Sequence, residues 1–85
     1  MTETDILKRW AEVSVPLRVI GEETAKTEVA TVEESMGKFY LTNGLDAEEH
    51  PDDAWYLPVI KLIWCDEQIF ISCEGALFEL DEILP

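Results

Sequence analysis

The chain is poor in the groups that chemistry usually needs. It has one histidine, His50, and two cysteines, Cys65 and Cys73. Nucleophilic catalysis requires a base beside a serine or a thiol. The single imidazole precedes a proline in a charged segment, and both thiols sit in an apolar segment further on. No dyad or triad follows from that arrangement, so no catalytic residue is expected and the protein does not read as an enzyme. The cysteine spacing fits no metal or redox motif. Two buried, reduced thiols in a reducing compartment are expected.

Basic residues are scarce as well. Six Lys/Arg face nineteen Asp/Glu, a net charge of −13. Residues 1–38 carry eight acids and five bases (−3), whereas residues 39–85 carry eleven acids and only Lys61 (−10). Direct binding of nucleic acid or of an anionic membrane needs the opposite sign. A phosphate-cradling glycine loop is absent too, so no cofactor is expected. The longest nearly apolar run, Tyr56 to Cys65, is ten residues long and contains Pro58 and Lys61. That is too short to span a bilayer. The first fifteen residues hold three acids and no apolar run, unlike a signal peptide. A cytoplasmic location is expected.

What is present suits a small globular domain. The chain has 85 residues, 47% of them hydrophobic and eight of them aromatic. One domain over 1–85 is expected, with a modest core and a thin stability margin.

The pattern opens with a helix. Thr2 and Asp5 have the spacing of a capping box. Ile6, Trp10 and Val13, flanked by Leu7 and Ala11, form one apolar stripe. Pro16 is expected to end this helix by forcing Val15 into an extended conformation. Strands are expected over 15–20, 27–33 and 38–42, with turns at Gly21-Glu22-Glu23, Ser35-Met36-Gly37 and Asn43-Gly44. LPVIKLIWC (57–65) and QIFISCE (68–74) read as an antiparallel hairpin. A two-residue loop, Asp66-Glu67, would pair Trp64 with Ile69, Leu62 with Ile71 and Ile60 with Cys73. The opposite face would pair Ile63 with Phe70, Lys61 with Ser72 and Val59 with Glu74. A loop one residue longer would exchange these faces. Either way the cysteines lie too far apart to bridge. Residues 76–83 suit a strand or a helix, and a strand continues the meander. The fold class expected is α+β: an N-terminal helix, then a five- or six-stranded antiparallel, strongly bent sheet. Apolar side chains on both hairpin faces require cover, which curling into a small SH3-like or Sm-like barrel would supply.

The densest polar stretch is LDAEEHPDDAWYLP, residues 45–58. Asp46, Glu48, Glu49, His50, Asp52 and Asp53 offer metal ligands, but their spacing lacks the alternating acids, the sixth-position glycine and the distant Glu of a calcium loop. No metal site is expected. Proline at a helix N1 position followed by acids suggests one or two short helical turns. Trp55 and Tyr56 adjoin the acids, and aromatic anchors ringed by charge are the composition of interaction hot spots. Trp55 serves equally well to pin the loop to the core.

A field this negative attracts basic partners. The expected function is a small acidic protein-binding module that occludes a basic, nucleic-acid-binding type of surface on a partner. Inhibitors, immunity proteins and DNA mimics among small phage and bacterial proteins act in this way. The expected contact residues are Asp46, Glu48, Glu49, Asp52, Asp53, Trp55, Tyr56, Asp66 and Glu67. The alternative is a structural or assembly subunit that forms a homo-oligomer through the second apolar face of the hairpin, at Val59, Ile63 and Phe70.

Overall fold

A computed structural model describes residues 2–84. One helix, α1 (Glu3–Glu12), precedes six strands: β1 (Leu17–Gly21), β2 (Thr27–Ser35), β3 (Lys38–Thr42), β4 (Tyr56–Cys65), β5 (Gln68–Cys73) and β6 (Ala76–Ile83). Each strand pairs antiparallel with the next, and β6 returns to β1, which closes the barrel.

The helix begins where its capping box lies. The Thr2 hydroxyl accepts from the Asp5 N–H, and the Asp5 carboxylate accepts from the Thr2 N–H. Hydrogen bonding to the carboxylate from Thr2, by its backbone N–H foremost and its side chain next, holds the Asp5 carboxyl below its ordinary pKa. The end of the helix differs from expectation. It stops at Glu12, and Ser14 takes a left-handed conformation (φ 48°). Ser14 N–H then donates to Ala11 C=O and Val15 N–H to Trp10 C=O. This is a Schellman closure, so the chain has left the helix before Pro16 can act. Val15 spends its N–H there, and β1 starts at Leu17. The buried stripe is Leu7 and Trp10, with Ile6 and Ala11 packed beside them. Val13 is left exposed.

The barrel core is Leu17, Val19, Ala30, Val32, Leu41, Leu62, Ile71, Cys73 and Phe78, and α1 packs its stripe onto it against β2 and β3. Two strands make the sheet curl. In β2, residues 27–30 pair with β1 and residues 31–35 with β3. In β4, residues 56–58 pair with β3 and residues 59–65 with β5. A strand that changes partner midway turns a corner between two sheets. The β1–β6 seam is held by backbone pairing and by Arg18, which reaches Asp81 at 2.7 Å and Glu82 at 2.6 Å. These ions are well exposed, so the pair orients the seam more than it stabilises it.

The β4–β5 hairpin has the two-residue loop. Cys65 pairs with Gln68, Trp64 with Ile69, Ile63 with Phe70, Leu62 with Ile71 and Lys61 with Ser72. Beyond Lys61 the register slips. Val59, not Ile60, opposes Cys73, through a bulge between Val59 and Lys61. The expected pairs Ile60–Cys73 and Val59–Glu74 are therefore not formed. Val59 turns to the core, and Ile60 becomes exposed. A bulge bends its strand, which is what β4 needs at its corner.

Candidate functional site

An up-and-down barrel places alternate connections at opposite ends. The β1–β2 turn (22–26), the β3–β4 loop (43–55) and the β5–β6 turn (74–75) share one end. The β2–β3 turn (36–37) and the β4–β5 turn (66–67) share the other, with the segment that joins α1 to β1. This parity decides which carboxylates meet. The first end gathers Glu22, Glu23, Asp46, Glu48, Glu49, Asp52, Asp53 and Glu74, every one exposed, against Lys26 alone. Eight acids less one base leave −7 of the −13 at one end of the molecule.

The long loop is built to hold its acids out. It is anchored by Asn43, whose Nδ2 donates to Asp53 C=O at 2.8 Å while its Oδ1 accepts from the N–H groups of Leu45 and Trp55. One amide thus ties both ends of the loop. Gly44 follows at φ +77°, a left-handed position suited to glycine. Asn43-Gly44 is therefore the root of a thirteen-residue loop and not a tight hairpin turn. Two single helical turns follow. His50 N–H donates to Asp46 C=O at 2.7 Å, and Ala54 N–H to His50 C=O at 2.9 Å. The Asp46 carboxylate accepts from Glu48 N–H within the first turn. Pro51 opens the second turn, where its missing N–H costs nothing.

The two aromatics take different roles. The Trp55 ring stacks on Phe78, centroids 5.8 Å apart and planes 6° from parallel. It is half-buried and holds the loop to the core. Tyr56 is the exposed one of the pair, and its hydroxyl donates to Leu45 C=O.

Not all of the expected contact residues come together. Asp66 and Glu67 lie at the far end of ten-residue β4 from Tyr56, on the order of 30 Å away for an extended strand. That exceeds the ~8–10 Å Debye length several-fold, so the tip and the loop act as separate patches. Asp81 and Glu82, at the end of β6, are engaged by Arg18. Glu22 and Glu23, which sequence suggested only as a strand stop, join the loop instead. Strand parity is the signal that finds them.

Ile63 and Phe70 pair on the barrel exterior and are half-buried, while Val59 has left that face. Residues 59–65 of β4 pair only with β5, so their other edge is open. The Glu3 carboxylate caps part of it by accepting from Leu62 N–H. Cys65 is exposed, contrary to expectation, because it ends β4 beside the turn. Cys73 is buried, and burial pushes its thiol up to about 11.

Among the described residues no group of three or more His, Cys, Asp or Glu side chains is placed to hold a metal ion. No described helix is long and apolar enough to cross a membrane. Comparison with protein-family models, with curated proteins and with solved structures gives no match.

Proposed function

We propose that this protein is a small binding module that occludes a basic surface of a partner protein, with the acidic barrel end as its contact face. One observation carries the reading: eight exposed carboxylates and one lysine share the end built by three connections. A partner whose usual ligand is a polyanion fits best, because carboxylates then stand where phosphates would. Inhibition, immunity to a nuclease-like toxin and DNA mimicry are uses of that one chemistry. Association would be steered by charge, fast at low salt and slow at high salt. The test captures the partner from an extract of the source organism, then measures on-rates at low and high salt. Changing all eight acids to their amides should slow association by about tenfold or more at low salt. An on-rate that ignores both salt and the amides sinks the proposal.

A second reading, a homo-oligomer, draws on a different surface from the one expected. The open edge of β4 carries exposed Ile60 and Trp64, and its own residues from Ala54 to Cys65 include no carboxylate, although Glu3 already occupies Leu62 N–H. A second copy could add a strand there by displacing Glu3. Light scattering over a wide concentration range tests it, and a monomer throughout removes it.

A further inference from the structure

We infer that the notch between the β1–β2 turn and the start of β6 seats one long basic side chain, lysine or arginine, of the partner. The inference rests on the acidic end being the contact face, and it names the anchor within that face.

The notch has a volume of about 70 Å³. Thr24 forms one wall, and Ala76, Leu77 and Phe78 form the other. The Phe78 ring is fixed from behind by its stack with Trp55, so this wall is rigid. Gly21 N–H donates to Lys26 C=O, and Glu22 N–H donates to Leu77 C=O at 2.9 Å, which ties the turn to β6. Gly21 keeps the space between the walls. A Cβ there would stand 2.7 Å from Thr24 Oγ1 and 3.8 Å from Phe78 Cε1. The interior is mainly hydrocarbon and has room for a short run of methylene groups, not for a ring system.

The rim has the opposite character. Glu22 and Glu23 are exposed, and neither carboxylate has an ion-pair or hydrogen-bond partner among the described residues. Lys26 lies on the same turn without pairing to either. An occupant must therefore fill an apolar slot and present a cation at its mouth. A neutral apolar side chain would desolvate the two carboxylates without compensation. A short cation would leave the slot unfilled. Lysine and arginine alone combine an aliphatic stem with a terminal charge. The larger cleft at the other end, over Ile69 and Leu80, is less suited, because Asp81 and Glu82 on its rim are already held by Arg18 and only Glu67 is left there without an ion-pair partner among the described residues, against two such carboxylates at the notch.

The test is an NMR titration of the isotope-labelled full chain with short blocked peptides at low salt. The peptides differ at one position: arginine, lysine, norleucine (stem without charge) or diaminopropionate (charge without stem). Arginine and lysine peptides should shift the amides of residues 21–24 and 76–78 and saturate, with both controls about five- to tenfold weaker. Gly21→Ala should remove that focus with every carboxylate in place. Glu22→Gln with Glu23→Gln, on the exposed turn, should weaken lysine binding without disturbing the fold. Equal shifts from lysine and diaminopropionate, spread over the 43–55 loop and Glu74, would overturn the notch and leave the acidic face standing. No response from any peptide at this end would overturn both.

Discussion

Replacing Glu67 by glycine should stabilise the protein. The β4–β5 turn places Asp66 at φ 45° and Glu67 at φ 69°, both left-handed, as a two-residue type I′ hairpin demands. An L-residue with a Cβ loses roughly 1–2 kcal/mol in that region. Glycine loses none of it, but its freer unfolded chain offsets about 0.4–1 kcal/mol. The net gain is about 0.5–1 kcal/mol, a rise of about 2–8 °C in midpoint for a domain of this size. The β2–β3 turn supplies the comparison within the molecule. It is Met36-Gly37, with φ 53° and 80°, and already has glycine at the position where Glu67 stands. Thermal and urea unfolding followed by circular dichroism measure the gain, with the urea slope unchanged. Glu67→Ala separates backbone from charge, since it removes the carboxylate and keeps the Cβ. A glycine variant no more stable than the alanine variant would refute the strain argument. Association with the partner should be unaffected by either change, because this turn lies at the end opposite the acidic face.

Three further outcomes follow from the same geometry. Glu3→Ala removes the charge-assisted bond to Leu62 N–H and should cost about 1–3 kcal/mol, with faster hydrogen exchange at Leu62, while Glu3→Gln should recover part of it. In the native protein a thiol reagent should label Cys65 and spare Cys73, and both should react after denaturation. Because the folded Cys73 pKa is raised, its contribution to stability is complete below about pH 9 and is lost as pH climbs towards about 11, so alkaline unfolding should begin in that window and Cys73→Ala should blunt it.

Much of the fold is legible in the residues because local chemistry specifies it. Thr2 and Asp5 mark the helix start, and the acids of Asp66-Glu67 mark the turn between two β-rich runs, whereas the choice between a two-residue loop and a longer one comes only from the observed pairing. The register beyond Lys61 is hidden because Val59, Ile60, Leu62 and Ile63 are all apolar. Where both neighbours are greasy, alternation carries no record of a slipped residue. The helix end is hidden for a different reason. A left-handed cap is usually glycine, and here Ser14 takes that conformation, so Pro16 looks like the stop signal when it is not. The acidic loop is visible at once as a run of carboxylates. That Glu22, Glu23 and Glu74 belong with it, and Asp66 and Glu67 do not, depends on which end of the barrel each connection occupies. That is a property of strand parity and ring closure, which no local window of sequence contains.

The placement of the charge also bears on whether it serves only solubility. A soluble surface is best served by mixed charges spread widely, because like charges held close repel and destabilise the compact state. This barrel does otherwise. It holds eight carboxylates at one end with one lysine among them, five of them on a loop tied down by the Asn43 amide and the Trp55–Phe78 stack, and three on the two neighbouring turns. Their mutual repulsion opposes folding, so added salt should raise the unfolding midpoint, and the eight-amide variant should be at least as stable as the natural chain and less responsive to salt. Acids that cost stability and are nonetheless gathered at one end are not accounted for by solubility alone, and this is the support they lend to the proposed basic partner. If instead the amide variant unfolds more easily, the carboxylates are structural, and the electrostatic case for this end as a contact face fails with them.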